Sequence, residues 1–142
     1  MLRAESLVKD VASPDDAIAL DYDHRHRRRL RLESRGGRQF LLDLPSATLL
    51  RDGDVLLLDD GTTVRVEARP EPVADITAAS RTELVRLAWH LGNRHLPVQV
   101  LDDRLRIRRD HVIADMLRGL GAEVSECEAA FHPEGGAYAH EH

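Results

Sequence analysis

The stretch Val64-Arg65-Val66-Glu67-Ala68-Arg69-Pro70-Glu71-Pro72 decides the fold. Up to Arg69, apolar and charged residues alternate, the period of a strand with one buried face. The two prolines that follow remove backbone donors and favour extended geometry, which marks a domain boundary. Beyond them the apolar period changes from 2 to 3.6. Ser80 with Glu83 reads as a capping box, and Leu84, Leu87, Ala88 and Leu91 fall at i, i+3, i+4 and i+7, predicting a helix that ends near Gly92-Asn93.

Upstream of the boundary the chain reads as strands. Leu30 and Leu32 alternate with arginines, Gly36-Gly37 makes a turn, and Phe40 to Leu44 completes a hairpin. Val55 to Leu58 is a buried strand held between turns at Arg51-Asp52-Gly53-Asp54 and Asp59-Asp60-Gly61. Downstream, a strand near Val73 to Ile76 precedes the first helix. Pro97 to Leu101 and Leu105 to Ile107 form a hairpin around Asp102-Asp103-Arg104. A second helix begins at the N-cap Asp110, buries Val112, Ile113, Met116, Leu117 and Leu120, and stops at Gly121. Ala122 to Ala130 is the last strand. The predicted class is α+β: a small all-β N-terminal domain over residues 1–71, then a ferredoxin-like βαββαβ domain over residues 72–130. Residues 131–142 form a His-containing tail expected to be poorly ordered from Phe131 when unliganded.

The chain has 142 residues, 42% of them hydrophobic and 32% charged, enough apolar material for small cores. A formal net charge of -5 argues against nucleic-acid binding as the main activity. No apolar run approaches the roughly 18 residues of a membrane span or resembles a signal peptide, so a cytoplasmic location is expected. The eight histidines stand beside one cysteine, Cys127, so a thiolate zinc site is excluded and any metal is held by imidazole and carboxylate. Cys127 reads as a small core residue.

The histidines are not equivalent. His24 and His26, two apart, share a face if they lie on a strand, but Arg25, Arg27, Arg28 and Arg29 crowd them with charge that repels a divalent cation. His90 and His95 stand about 140° apart on an ideal helix and cannot share one metal from one helix. Trp89-His90-Leu91 lacks the glutamate of a metalloprotease helix, and no carboxylate is placed as a general base beside His95, which disfavours a metallohydrolase. His90 reads as a packing residue. His95, just past the helix end, is a plausible ligand, although a single imidazole holds no metal tightly. His111 beside the Asp110 cap is a further candidate, and His140 and His142 bracket Glu141 in the tail.

The run Trp89-His90-Leu91-Gly92-Asn93-Arg94-His95-Leu96-Pro97-Val98-Gln99-Val100 resembles the signature of the UreE urease accessory proteins, the nickel metallochaperones of urease maturation. Supporting blocks are Leu50-Arg51-Asp52-Gly53-Asp54, Asp110-His111-Val112 to Asp115-Met116-Leu117, and Pro133-Glu134-Gly135-Gly136-Ala137-Tyr138. The resemblance implies a peptide-binding N-terminal domain and a ferredoxin-like domain that homodimerises. It implies that His95 of both subunits forms a Ni(II) site at the two-fold axis, that His140 and His142 complete it, and that His111 marks a secondary site. It implies no enzyme activity, and partners in the urease accessory GTPase and the urease apoprotein assembly complex, with metal-loaded dimers able to pair.

A two-fold interface presents the same residue twice, which answers the single-imidazole problem. Where some relatives carry a histidine two residues before the His111 position this chain has Arg109, and no polyhistidine run ends the tail. The expectation is therefore about one tight metal per dimer. Zn(II) or Cu(II) is expected to substitute in vitro, since imidazole and oxygen donors do not themselves discriminate against them. The competing class is a protein-interaction or assembly module with incidental histidines.

Overall fold

A computed structural model describes residues 1–135. The chain divides into two compact units at the Arg69/Pro70 junction.

The first unit is a curled six-stranded sheet. Its strands are β1 (Leu2–Val8), β2 (Asp16–Leu20), β3 (His26–Glu33), β4 (Gln39–Leu49), β5 (Val55–Leu58) and β6 (Thr63–Ala68), in the order β2-β6-β5-β1-β4-β3. The expected β3–β4 hairpin is present, with Leu30 opposite Leu42 and Leu32 opposite Phe40. Alternation sends Ala4, Ile18, Phe40, Leu42, Leu56, Leu58, Val64 and Val66 into one aliphatic core. Two pairings are parallel, β1 with β4 and β2 with β6. Parallel neighbours require long connections, so no local turn signal announces them.

A short helix, α1 (Tyr22–Arg25), precedes β3 and is capped by Asp21. It removes His24 from the strand it was expected to share with His26. The Asp21 carboxylate accepts the His24 backbone N–H at 2.9 Å, and the His24 ring lies 2.6 Å from the same oxygen. His26 instead meets the Tyr22 hydroxyl at 3.4 Å. Arg25 is fully buried, donating to the Leu20 and Leu50 carbonyls at 3.2 Å each.

The second unit orders its strands β10-β7-β9-β8: β7 (Glu71–Thr77), β8 (Gln99–Val100), β9 (Leu105–Arg108) and β10 (Glu123–Ala129). All three pairings are antiparallel. With α2 (Arg81–Asn93) between β7 and β8, and α3 (His111–Gly119) between β9 and β10, this is the ferredoxin-like arrangement read from the sequence. Ser80 caps α2 by accepting the Glu83 N–H, and Asp110 caps α3 by accepting those of Val112 and Ile113. Ala74, Ile76, Leu87, Leu91, Leu105, Ile107, Leu117 and Ala122 form the core.

Several expectations need correction. β7 begins at Glu71 and includes Pro72, tolerated near a strand's start where no ladder donor is demanded of it. β8 is limited to Gln99–Val100. Val112 and Leu120 are exposed, at 63% and 47%, because Ala114 and Leu117, three apart, set the buried face of α3 and Leu120 lies at its C-cap. Cys127 is half-buried rather than a core residue, since β10 is an edge strand. The first residues of the tail, 131–134, are held in place. Phe131 is completely buried, the His132 N–H donates to Gln99 Oε1 at 3.0 Å, and the Glu134 N–H donates to the Val98 carbonyl at 2.8 Å.

One polar cluster stabilises the β3–β4 turn of the first unit. Ser34 Oγ donates to Asp16 Oδ2, while the Gly36 and Ala17 N–H groups donate to Asp16 Oδ1 at 3.1 and 2.8 Å. A side chain at Gly36 would meet that carboxylate at 2.7 Å, so the close approach requires glycine. The Ser34 hydroxyl, followed by the Ala17 N–H, holds the Asp16 carboxyl below the usual carboxylate range. A lowered folded-state value stabilises the fold above the ordinary aspartate range near 3.9, and the gain is lost as pH falls through the folded value. Asp16→Asn should therefore lower the urea midpoint at pH 7, with the gap to wild type closing in acid. A gap that persists unchanged in acid would show that the charge is not the stabilising element.

Candidate metal centre

The end of α2 positions the principal candidate. After Asn93 the chain closes with the His95 N–H donating to the Gly92 carbonyl at 3.0 Å and the Leu96 N–H donating to the Leu91 carbonyl at 3.2 Å. These are the paired bonds of a Schellman closure, with Arg94 at the C-cap. Leu91 is buried and Leu96 packs on the same cluster, which supplies the apolar contact that accompanies the motif. Pro97 next in sequence prevents the helix from resuming.

The closure requires a left-handed residue just past the cap, and that residue is His95, at φ 58. The end of α3 is an internal comparison. There the Gly121 N–H donates to the Arg118 carbonyl and the Ala122 N–H to the Leu117 carbonyl, both at 3.0 Å, and the left-handed residue is Gly121 at φ 92. The same motif thus holds a glycine on one helix and a histidine on the other. An L-residue in this conformation costs roughly 1–2 kcal/mol, although histidine visits it more often than most side chains. His95 is exposed, so its ring meets solvent rather than the core.

His111 is exposed at the first position of α3. The nearby Arg109 guanidinium donates to the Cys127 carbonyl at 2.8 Å and lies 3.3 Å from Glu126. His140 and His142 are outside the described residues. His90 packs edge-to-face on Trp89, with ring centroids 5.1 Å apart. His24 is committed to Asp21, whose carboxyl burial pushes up but the His24 N–H and ring, with Arg69, pull down further, leaving it below the usual range. Among the described residues no three histidine, cysteine or acidic side chains converge as a metal-binding group.

The sequence reading passed over two surface residues. Val85 and Trp89, four apart on the helix that His95 terminates, are 62% and 64% exposed. Their i, i+4 spacing was the available signal that they share a face.

The fold defines a two-domain α+β protein that presents an imidazole to solvent from a closed helix end. Residues 2–69 match the UreE urease accessory protein N-terminal domain and residues 71–142 match the UreE urease accessory protein C-terminal domain. The chain belongs to the UreE urease accessory protein family. It is 59% identical over 127 residues to the urease accessory protein UreE of Rhodopseudomonas palustris strain HaA2, covering 89% of this chain and 59% of that protein. Against the UreE of Bradyrhizobium sp. strain ORS 278 the identity is 58% over 124 residues, covering 87% of this chain and 59% of the relative. Against that of Chelativorans sp. strain BNC1 it is 52% over 143 residues, covering 100% of this chain and 90% of the relative. The chain thus spans about three fifths of the length of the first two.

The backbone at position 95 yields a prediction independent of any metal. His95→Gly should unfold at higher denaturant than His95→Ala, by a difference of about 1 kcal/mol, because alanine bears the left-handed cost that glycine avoids. Equal midpoints would mean that the closure is not held in solution.

Proposed function

We propose that two copies of this chain hold a Ni(II) ion between their His95 side chains and deliver it to the urease assembly complex. The observation that carries the reading is the exposed histidine in a left-handed position that α3 gives to glycine. A residue kept there against backbone preference, with its ring in solvent, is accounted for by a ligand role. Membership of a urease accessory family supplies the recipient.

One imidazole per chain is insufficient for a tight site, and two-fold pairing doubles it. Val85 and Trp89 provide exposed apolar surface on the same helix for a second copy. His140 and His142 then add exchangeable ligands, which delivery requires, since a closed structural site would trap the ion. His111 serves at most a weaker secondary site, because Arg109 stands where a second histidine would be needed. Nickel is cargo, and no bond in a substrate is made or broken. The transfer takes place in the cytoplasm through the urease accessory GTPase, and loaded dimers pair into tetramers. Zn(II) or Cu(II) enters the same site when supplied instead. Residues 1–71 act as the grip on a partner polypeptide, 72–130 as the metal-binding and dimerising domain, and 131–142 as the ligand-bearing tail. No helix among the described residues is long and apolar enough to cross a membrane.

Calorimetric titration with Ni(II) should give one tight site per dimer in wild type and none in His95→Ala. Survival of the tight site without His95 would refute the ligand assignment. Truncation before His140 should weaken binding and leave the dimer intact by light scattering; dissociation would mean that the tail holds the interface. Because imidazole ligates a metal only in its neutral form, affinity should fall in acid.

A further inference from the structure

The outer face of the first unit carries a feature that the metal reading does not use. Strand register places Arg3 of β1 and Arg31 of β3 on either side of Leu41 of β4, and Arg29 opposite Asp43. Asp43 is shared, 3.2 Å from Arg3 and 3.6 Å from Arg29. Arg31 has no ion-pair partner among the described residues. Three guanidinium groups thus line one patch with Asp43, and Glu33 follows Arg31 on the same strand face, in a chain whose formal net charge is -5. The guanidinium groups surround an open cavity of about 770 Å³ lined by Met1, Arg3, Arg29, Leu30, Arg31 and Leu41.

The cavity borders a free edge. β3 ends the sheet, and its outer backbone groups pair with no strand among the described residues. An exposed edge is a template for another extended chain. Arg29 and Arg31 are two apart and exposed, so they stand on one face, about 6.6 Å apart along the strand. Alternate side chains of an added strand have the same spacing. Acidic residues at every second position would each find a guanidinium across the new ladder, whereas a second copy of β3 would bring arginine against arginine. Nucleic acid offers charge but no strand groups to pair with the edge, and the chain's net charge repels a long polyanion.

We propose that β3 is a docking edge for an extended acidic segment of a partner protein, its carboxylates meeting Arg29 and Arg31. The proposal rests on the reading of residues 1–71 as a polypeptide grip and adds the chemistry of what is gripped; it does not require the nickel site.

The test is fluorescence polarisation at low ionic strength with the full chain and labelled peptides of alternating Glu and Val, Gln and Val, or Lys and Val. The Glu peptide should bind roughly tenfold more tightly than the Gln peptide and weaken with added salt. N-methylation of alternate amides on its pairing side should abolish binding. In Arg29→Glu/Arg31→Glu the preference should invert towards the Lys peptide, while the circular dichroism spectrum and urea unfolding curve of that variant stay as in wild type, which establishes that it is folded. Equal binding of Glu and Gln peptides would overturn the acidic preference and leave the grip standing. Binding of no peptide would overturn both. Equal binding of an oligothymidylate, with the same loss in the double variant, would reduce the face to a general anion surface and overturn the docking edge.

Discussion

Packing of Leu91 and Leu96 on one core is the constraint from which the ferredoxin-like unit takes its functional shape. With Leu91 inside and Leu96 packed against the same cluster, the chain between them has to reverse within one turn. The reversal is a Schellman closure, and its geometry forces position 95 into the left-handed region. Everything downstream follows from where that reversal points. Pro97 keeps the chain extended, Gln99–Val100 joins the edge of β9, and residues 132 and 134 settle against Gln99 and Val98. The imidazole is consequently carried on rigid backbone although it lies outside any helix or strand.

The first unit solves a different problem. With aromatics at only 4% of the chain, its core is aliphatic, and polar groups hold its connections. Arg25 lies wholly inside and satisfies carbonyls of the β2 end and of Leu50, tying segments far apart in sequence. A buried guanidinium is costly unless its donors are met, and two chain carbonyls meet two of them. Asp16 does the same at the β3–β4 turn, accepting from Ser34, Gly36 and Ala17. Both are buried or half-buried charges, and their partners Leu50, Ser34 and Gly36 become adjacent only after folding.

That difference sets what could be read beforehand. Local signals were legible: alternation in Val64 to Ala68, the Ser80 cap, the Asp110 cap and the hairpin at Asp102-Asp103. Features that depend on distant partners were not. The parallel β1–β4 and β2–β6 pairs, the burial of Arg25 and the anchoring of Phe131 each require a neighbour dozens of residues away. Val112 and Leu120 misled because apolar character was taken as burial, whereas the core accepts the small Ala114 and leaves both outside. His95 stood out through its motif, but its left-handed backbone was hidden, because the residue that ordinarily announces that conformation is glycine. The exposed faces of β3 and of α2 were hidden for a related reason. A charged or apolar residue in sequence does not declare whether its neighbours leave it room.

The hydrogen bond from Glu134 to Val98 has a consequence for the chemistry of the last residues. It fixes Glu134 beside β8, and His140 follows six residues later in sequence, a covalent reach of about 20 Å at full extension. Within such a radius a tethered imidazole acts at an effective concentration in the millimolar range, far above what diffusion would supply at cellular protein levels. A ligand too weak to bind on its own can then contribute whenever it is needed and release quickly when it is not. For the ligand role proposed for His140, the anchor at Val98 converts a problem of affinity into one of chain length, so that inserting or deleting residues after Glu134 becomes as consequential as replacing the histidine itself.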